Sequence, residues 1–249
     1  IIGTLEGKRV VFLSRHGRGH RHLPSEINYR ANIYGLKMMG VERVISVNSC
    51  GSLREVIRPR DIVFSDQFFD RSRRDCTFFS QGIAAHISFA QPVCPELSRF
   101  LYATAKGLNI RAHLGGTYIC IEGPAFSSKA ESNIYRSWGC DVIGMTAATE
   151  AKLCREAEIC YATMNLATDY DVWHAEEKSV SVELILENLR LNIHNAKAIL
   201  KKAVASLPPH AEGICDCRQA LKNCIVTDPN LIPAATKRKL GWIIKKYVK

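Results

Sequence analysis

Residues 159–171 read ICYATMNLATDYD, an apolar run followed by two aspartates. The run from Ile159 to Ala167 predicts a buried strand, because a short, continuously apolar segment fits the interior of a sheet. Asp169 and Asp171 come directly after it, at the end of a strand where ligands gather in α/β proteins. Two carboxylates at this place could hold a divalent metal, protonate a leaving group or cap a turn.

Short apolar strands alternate with longer helical segments along the rest of the chain. The pattern predicts a buried strand over 9–13 and helices over 25–39, 128–139 and 181–206. A Ser-x-x-Glu capping box opens the third of these segments, and two prolines stop the last one. Such alternation is typical of an α/β fold with a mainly parallel sheet.

The composition is that of a globular protein. The chain has 249 residues, 47% of them hydrophobic, and 34 basic against 24 acidic side chains give a net charge of +10. This apolar content argues against disorder, and no apolar run reaches the roughly 18–20 residues that span a bilayer. The start resembles no signal peptide, so we expect a cytoplasmic protein. It also lacks a methionine, and we expect the true beginning to precede Ile1.

Part of the positive charge lies in residues 237–249, where basic and apolar side chains alternate at helical spacing. The spacing predicts an amphipathic helix with a basic outer face. Such a face can bind nucleic acid. A solvated surface is the commoner meaning, and we expect no nucleic-acid partner.

Ten cysteines are present, and most lie in apolar surroundings that predict core packing. Cys215, Cys217 and Cys224 form the one cluster in the sequence. A C-x-C pair with one further cysteine lacks the spacing of a typical zinc site, so we expect no metal and no cofactor. A disulfide or plain thiols remain as alternatives.

Two polar loops follow apolar strands. Residues 14–22 contain three arginines, three histidines and two glycines, a composition that predicts an anion pocket. Residues 48–55 offer small side chains and backbone amides that can form an anion nest. Together with the aspartates, the loops predict a site with phosphate at one end and a heteroaromatic amine at the other.

Five segments occur in the same order as in a known family. The chain resembles purine nucleoside phosphorylases of the trimeric class, most narrowly their methylthioadenosine-cleaving members. The segments that carry the resemblance are Ser14–Gly17, Asn48–Glu55, Ile121–Ser128, Gly144–Thr146 and Ala167–Asp171.

The resemblance implies a single-domain nucleoside phosphorylase fold over residues 1–206, with a central mixed sheet flanked by helices. Residues 207–249 would be a cysteine-bearing helical extension packed on the same domain. The implied oligomer is a homotrimer or a dimer of trimers. A glycine-rich phosphate loop that opens the family is absent before Arg9.

The implied reaction is phosphorolysis of 5′-methylthioadenosine to adenine and 5-methylthioribose 1-phosphate, with inorganic phosphate as co-substrate. The alternative is phosphorolysis of adenosine, inosine or methylthioinosine. The residues that would bind phosphate are Arg15, His16, Asn48, Ser49 and Thr146.

The resemblance also assigns the nucleoside end. Met145 would lie beneath the ribose, Phe126 would pack on the purine, and His86 would reach the 5′ end from a neighbouring subunit. Asp169 would share or donate the proton at N7, and Asp171 would accept from the 6-amino group. The positions that bias the choice of substrate are Ser127 and Val182.

The aspartate pair bears on specificity. Family members that cleave 6-oxopurines resemble one another in placing Asn where Asp169 stands, because a 6-oxo group needs a donor. An unmatched buried polar group costs about 1–3 kcal/mol, so two aspartates favour a 6-aminopurine.

Overall fold

A computed structural model describes residues 1–174, 182–209 and 215–248, with the backbone alone for 182–185. The described residues form nine strands and six α-helices. The strands are β1 (Ile2–Leu5), β2 (Lys8–Val11), β3 (Arg43–Ser52), β4 (Ile62–Phe64), β5 (Gln67–Asp70), β6 (Ala112–Leu114), β7 (Thr117–Cys120), β8 (Val142–Gly144) and β9 (Cys160–Asp169). The helices are α1 (Tyr29–Met38), α2 (Pro95–Gly107), α3 (Lys129–Ser137), α4 (Ala147–Glu156), α5 (Val182–Ser206) and α6 (Ala234–Ile244).

Seven strands form one mixed sheet in the order β5-β7-β8-β3-β9-β4-β6. The two long strands β3 and β9 run parallel in its centre, whereas β3 pairs with β8 and β4 with β9 in the antiparallel sense. The mixed α/β fold with flanking helices is therefore confirmed.

The buried strand predicted over 159–167 is confirmed as β9, in which every residue is buried. Its side chains alternate between the two faces of the sheet, as strand geometry requires. Ala162 and Met164 pack with α2 and α5 on one face, and Tyr161 packs with α1, α4 and α6 on the other. Coverage of both faces explains why the segment has no polar alternation.

Two local predictions were wrong. Residues 9–13 do not form a buried strand: β2 pairs with β1 in a separate two-stranded sheet, and Phe12 is 52% exposed. The helix predicted over 25–39 begins later, at Tyr29, because Ile27 is extended and the Asn28 side chain accepts the N-terminal hydrogen bond from Ala31. The helix opened by Ser128 and Glu131 has the predicted capping box.

The segment 215–248 packs on the same body as the sheet. Leu240, Ile243 and Ile244 of α6 join the apolar cluster that contains Ile33 of α1 and Leu153 of α4. Helix α6 is amphipathic, as predicted from its spacing. No helix among the described residues has the length and apolar character needed to cross a membrane.

All ten cysteines lie in the described part of the chain, and none forms a disulfide there. The sequence left a disulfide or plain thiols open for Cys215, Cys217 and Cys224, and the structure has free thiols at all three.

Candidate active site

The predicted aspartates lie where β3 and β9 end side by side. Gly51 of β3 is paired with Asp169 of β9. A Cβ at Gly51 would lie 3.0 Å from Asp169 Oδ1 and 3.3 Å from Asp171 Cβ. A larger residue at position 51 would displace both aspartate side chains, so the glycine leaves the space that the pair occupies.

Asp169 is held by its neighbours. Its Oδ2 accepts from Thr168 Oγ1 at 2.7 Å, and its Oδ1 accepts from the backbone N–H of Asp171 at 2.8 Å. The side chain is 4% exposed. These bonds fix the orientation of the carboxylate at the strand end.

Asp171 differs from Asp169 in its backbone conformation and in its hydrogen bonding. Its backbone is left-handed, with φ of 53°, and burial raises the pKa of its carboxyl group. Asp171 Oδ2 is buried without a hydrogen-bond partner among the described residues. An unpaired buried acceptor of this kind is expected where a ligand donor will bind.

Arg15 lies beside the middle of β3, where it contacts Ser46 and Asn48. Its Nη1 donates to both oxygens of Glu150, at 3.0 and 3.1 Å, and its Nη2 donates to Asn48 Oδ1 at 2.5 Å. Burial disfavours the cation, but Glu150, Tyr161 and Tyr118 together outweigh this effect and raise the pKa of Arg15 above its usual range. Arg15 Nε is buried with no partner in the described residues.

Asn48 links Arg15 to Thr146 at the start of α4 and to Thr163 of β9. Its Oδ1 also accepts from Thr146 Oγ1 at 3.0 Å, and its Nδ2 donates to Thr163 Oγ1 at 2.7 Å. Thr146 precedes α4, and its side chain makes no capping bond to the helix. The Asn48 side chain is thus hydrogen-bonded within the protein, and its contact with phosphate stays a prediction.

The remaining predicted anion-binding residues are more open. Ser49 is exposed beside Asn48. His16 Nδ1 contacts the carbonyl oxygen of His22 at 2.9 Å, and its ring stacks on His20 with centroids 4.1 Å apart. Burial lowers the pKa of His16, so the ring is neutral at neutral pH.

Met145 and the segment 121–128 form a neighbouring group. A Cβ at Gly123 would lie 2.5 Å from Met145 Sδ, which shows how closely the Met145 side chain approaches the backbone at Gly123. Phe126 is 50% exposed, and Ser127 is buried. Ser127 Oγ has no hydrogen-bond partner within the described ranges.

Two predicted residues are not joined to this group. His86 is exposed, and its backbone N–H donates to Cys224 O at 2.9 Å, so its described contact is with the C-terminal segment. Val182 begins α5, and its side chain lies outside the described residues.

The sequence reasoning missed Glu150 and Ser46. Ser46 Oγ donates to Glu150 Oε2 at 2.6 Å and accepts from Arg15 Nη1 at 2.9 Å. Glu150 stands four residues after Thr146 on one helix face. That spacing was the available signal, because a carboxylate one turn from a predicted phosphate ligand is placed to pair with a nearby arginine.

A cavity of about 830 Å³ opens between β2, α1 and β3. Arg15, His16, Ser46 and Glu150 line its polar end, whereas Asp169 and Asp171 do not line it. It therefore reaches the anion-binding part of the site and not the carboxylate pair.

The arrangement has two chemical halves along the central strand β3. A buried guanidinium with an unpaired N–H can bind an oxyanion. Helix α4 begins directly after Thr146, which bonds to Asn48, and the amino end of this helix also favours negative charge. The carboxylate pair can accept from, or deliver a proton to, the nitrogens of a base.

Comparisons with known proteins agree on one family. Residues 1–205 match the phosphorylase superfamily. The S-methyl-5′-thioadenosine phosphorylase of Gloeobacter violaceus is 55% identical over 256 residues, covering 99% of this chain and 84% of the relative. That of Geobacter sulfurreducens is 55% identical over 250 residues, covering 100% and 87%.

Solved structures give the same result. A methylthioadenosine phosphorylase from an Antarctic soil metagenomic library has a TM-score of 0.91 and 44% identity, covering 97% of this chain and 85% of that one. The methylthioadenosine phosphorylase of Schistosoma mansoni in complex with adenine has a TM-score of 0.84 and 33% identity, covering 88% and 84%.

Proposed function

The chain belongs to the phosphorylase superfamily, and we propose that it cleaves S-methyl-5′-thioadenosine with inorganic phosphate. The products are adenine and 5-methylthioribose 1-phosphate, so the enzyme is a pentosyltransferase. Close relatives over the whole chain carry this activity in their names. The reaction uses phosphate as co-substrate and needs no other cofactor.

One observation carries the proposal: the central strand β3 brings an anion-binding group and a carboxylate pair close together. Asn48, bonded to Arg15 and Thr146, stands three residues before Gly51, which faces Asp169 and Asp171. Three residues of extended strand span about 10 Å. This separation suits a nucleoside whose sugar lies between phosphate and base.

At the phosphate end, Arg15 supplies the main charge, and its unpaired Nε is free to donate to an oxyanion. Ser49, Thr146 and His16 add hydroxyl and imidazole groups around it. Asn48 and Glu150 hold Arg15 and Thr146 in place through the bonds described above. A phosphate held below the sugar stabilises the positive charge that develops as the glycosidic bond breaks.

At the base end, Asp171 Oδ2 accepts from the 6-amino group, and Asp169 shares the proton at N7. A phosphate oxygen forms the new bond to the anomeric carbon while the bond from that carbon to N9 breaks. The electron pair of the broken bond stays on adenine, and protonation at N7 makes the base a better leaving group.

Other side chains shape the nucleoside pocket. Met145 lies under the ribose, and the half-exposed Phe126 packs on the purine. Ser127 and Val182 bias the choice of substrate, and the buried, unpaired Ser127 hydroxyl offers a polar contact.

His86 serves the site of a neighbouring copy in a trimer or a pair of trimers. Its exposed position on the surface of one chain supports this role. Light scattering measures the assembly, and His86→Ala in a confirmed trimer should raise the KM for the nucleoside more than that for phosphate. A monomer with full activity would contradict the proposal.

The decisive assay measures adenine release from 5′-methylthioadenosine with and without phosphate. Release should require phosphate and produce 5-methylthioribose 1-phosphate in equal amount. Release without phosphate would show a hydrolase. Faster turnover of methylthioinosine or inosine would show that the aspartate pair does not select a 6-aminopurine.

A further inference from the structure

Four cysteines from three distant parts of the chain converge at the end of β9 opposite the aspartates. They form the cysteine cluster, and their Sγ atoms all lie within 4.8 Å of one another; its members are Cys94, Cys160, Cys215 and Cys217. Cys160 is the first residue of β9 and Asp169 is the last. A strand of this length spans about 30 Å, so the cluster is separate from the site described above.

The cluster has the dimensions of a tetrahedral metal site. Zinc bound by four thiolates has Zn–S bonds of about 2.3 Å, which places the sulfur atoms about 3.8 Å apart. The Sγ atoms of Cys160 and Cys215 are 3.4 Å apart, and the other pairs fall within the limit given above. Small side-chain rotations bring such a set onto one ion.

Its members sit on a rigid frame. Cys94 is the N-cap residue of the 13-residue helix α2, and its backbone N–H donates to Tyr161 O at 2.7 Å. The backbone N–H of Cys160 donates to Glu42 O at 3.0 Å. Cys94, Cys160 and Cys217 also lie in one apolar cluster. Two ligands are therefore positioned by a helix start and a central strand, and the C-terminal segment supplies the other two.

A partly buried arginine accompanies the cluster. Arg155 Nη1 lies 3.9 Å from Cys217 Sγ, and Arg155 Nε is buried with no partner among the described residues. A divalent ion with four thiolates carries a net charge of −2, which a neighbouring guanidinium partly balances. Arg155 Nη2 also donates to the carbonyl oxygen of Gln91, which holds the guanidinium beside Cys217.

A disulfide explains the arrangement less well. It would need two sulfur atoms about 2.0 Å apart, whereas those of Cys160 and Cys215 are 3.4 Å apart, and a single disulfide would account for two of the four cysteines. Apolar packing alone does not require four sulfur atoms to converge on a common centre.

We propose that the cysteine cluster binds one Zn²⁺ through four thiolates and fastens the C-terminal segment to β9 and α2. Binding releases the thiol protons to solvent as the four Zn–S bonds form. The expectation of no metal considered the C-x-C segment alone, and this proposal departs from it. Cys94 and Cys160 supply the other two ligands, and their pairing arises only from the fold.

The first test is the zinc content of the full chain, purified with a phosphine reductant and without chelators. Metal analysis should find about one zinc per chain. Cys94→Ser and Cys217→Ser should lose it and melt at lower temperature. Cys140→Ser is the matched control, because Cys140 is equally buried in another apolar cluster, and this variant should keep its zinc.

A second test does not depend on the folding of variants. Wild-type chain freed of metal under reducing conditions receives Co²⁺, and the intense visible bands of a tetrahedral cobalt–thiolate centre should appear and be displaced by one equivalent of Zn²⁺. Absence of zinc as purified, together with no uptake of either ion, would overturn the proposal. Bound iron in place of zinc, or disulfides among these cysteines in a fresh reduced sample, would overturn it as well.

Discussion

Asp169 and Asp171 stand two residues apart, yet their surroundings give them different properties. Both oxygens of Asp169 accept hydrogen bonds from Thr168 and the backbone of Asp171. Asp171 keeps one buried oxygen unpaired. A fixed carboxylate suits proton exchange with a ring nitrogen, and an unpaired acceptor suits an amino group.

Asp169→Asn replaces an acceptor by a donor at the proposed N7 contact. We expect kcat/KM for 5′-methylthioadenosine to fall about 10- to 100-fold, because an unmatched buried polar group costs about 1–3 kcal/mol and each 1.4 kcal/mol is a factor of ten. The ratio of methylthioinosine to methylthioadenosine turnover should rise. Asp75→Asn, at an exposed ion pair, should change neither; an unaltered substrate ratio in Asp169→Asn would contradict the role of this residue.

The pH dependence of the stability of Asp171→Asn tests whether burial of the Asp171 carboxylate costs free energy. Because burial raises the pKa of Asp171 above its unfolded value, its protonated form is favoured in the folded state. The free energy of unfolding therefore falls as the pH rises through the folded pKa. Asn carries no charge and escapes this loss.

The melting temperature of Asp171→Asn relative to wild type should thus be more favourable near about pH 7 than near about pH 4. Thermal denaturation across this range measures the difference, with Asp75→Asn as the exposed control. A difference that is independent of pH would show that Asp171 pays no desolvation cost in the folded protein.

At the scale of elements, Glu150 joins α4 to β3 and to the loop that carries Arg15. The Arg15 and Glu150 side chains are 15% and 10% exposed, so the pair is largely removed from water. Removing one partner of a buried pair leaves an uncompensated charge.

Glu150→Gln should lower the free energy of unfolding by about 3 kcal/mol and raise the KM for phosphate, since Arg15 loses its anchor. Denaturant titration and phosphate kinetics measure the two effects. Glu96→Gln breaks the pair with Arg99, whose side chains are 43% and 57% exposed, and should cost at most about 1 kcal/mol. Equal losses in both variants would refute the buried pairing.

The same scale shows what the sequence could predict. The strand β9 was predictable because a short, continuously apolar run is typical of a strand that is covered on both faces. The capping box at Ser128 was predictable because it depends on neighbouring residues alone. Residues 9–13 have a similar apolar character, but their pairing with β1 depends on long-range contacts. The spacing of Glu150 from Thr146 was the one signal for its bond to Arg15. The convergence of Cys94 and Cys217 arises from tertiary packing, which residue spacing does not encode.

For the whole molecule, the C-terminal segment and the sheet domain share one apolar cluster. Leu240 of α6 is 3% exposed and belongs to the cluster that includes side chains of α1 and α4. A shared core couples the two parts, so we expect them to unfold in one cooperative transition.

Leu240→Ala should therefore destabilise the entire protein by about 2–5 kcal/mol and move its single calorimetric transition to lower temperature, while folded enzyme keeps its turnover at low temperature. Arg238→Ala, at an exposed position of the same helix, should change stability by about 0.5 kcal/mol or less. Two separate transitions, with only the earlier one shifted by Leu240→Ala, would show that the segment is an independent unit. A single shifted transition would show that the sheet domain and its extension belong to one folding unit, in which the zinc proposed at Cys215 and Cys217 would stabilise both parts.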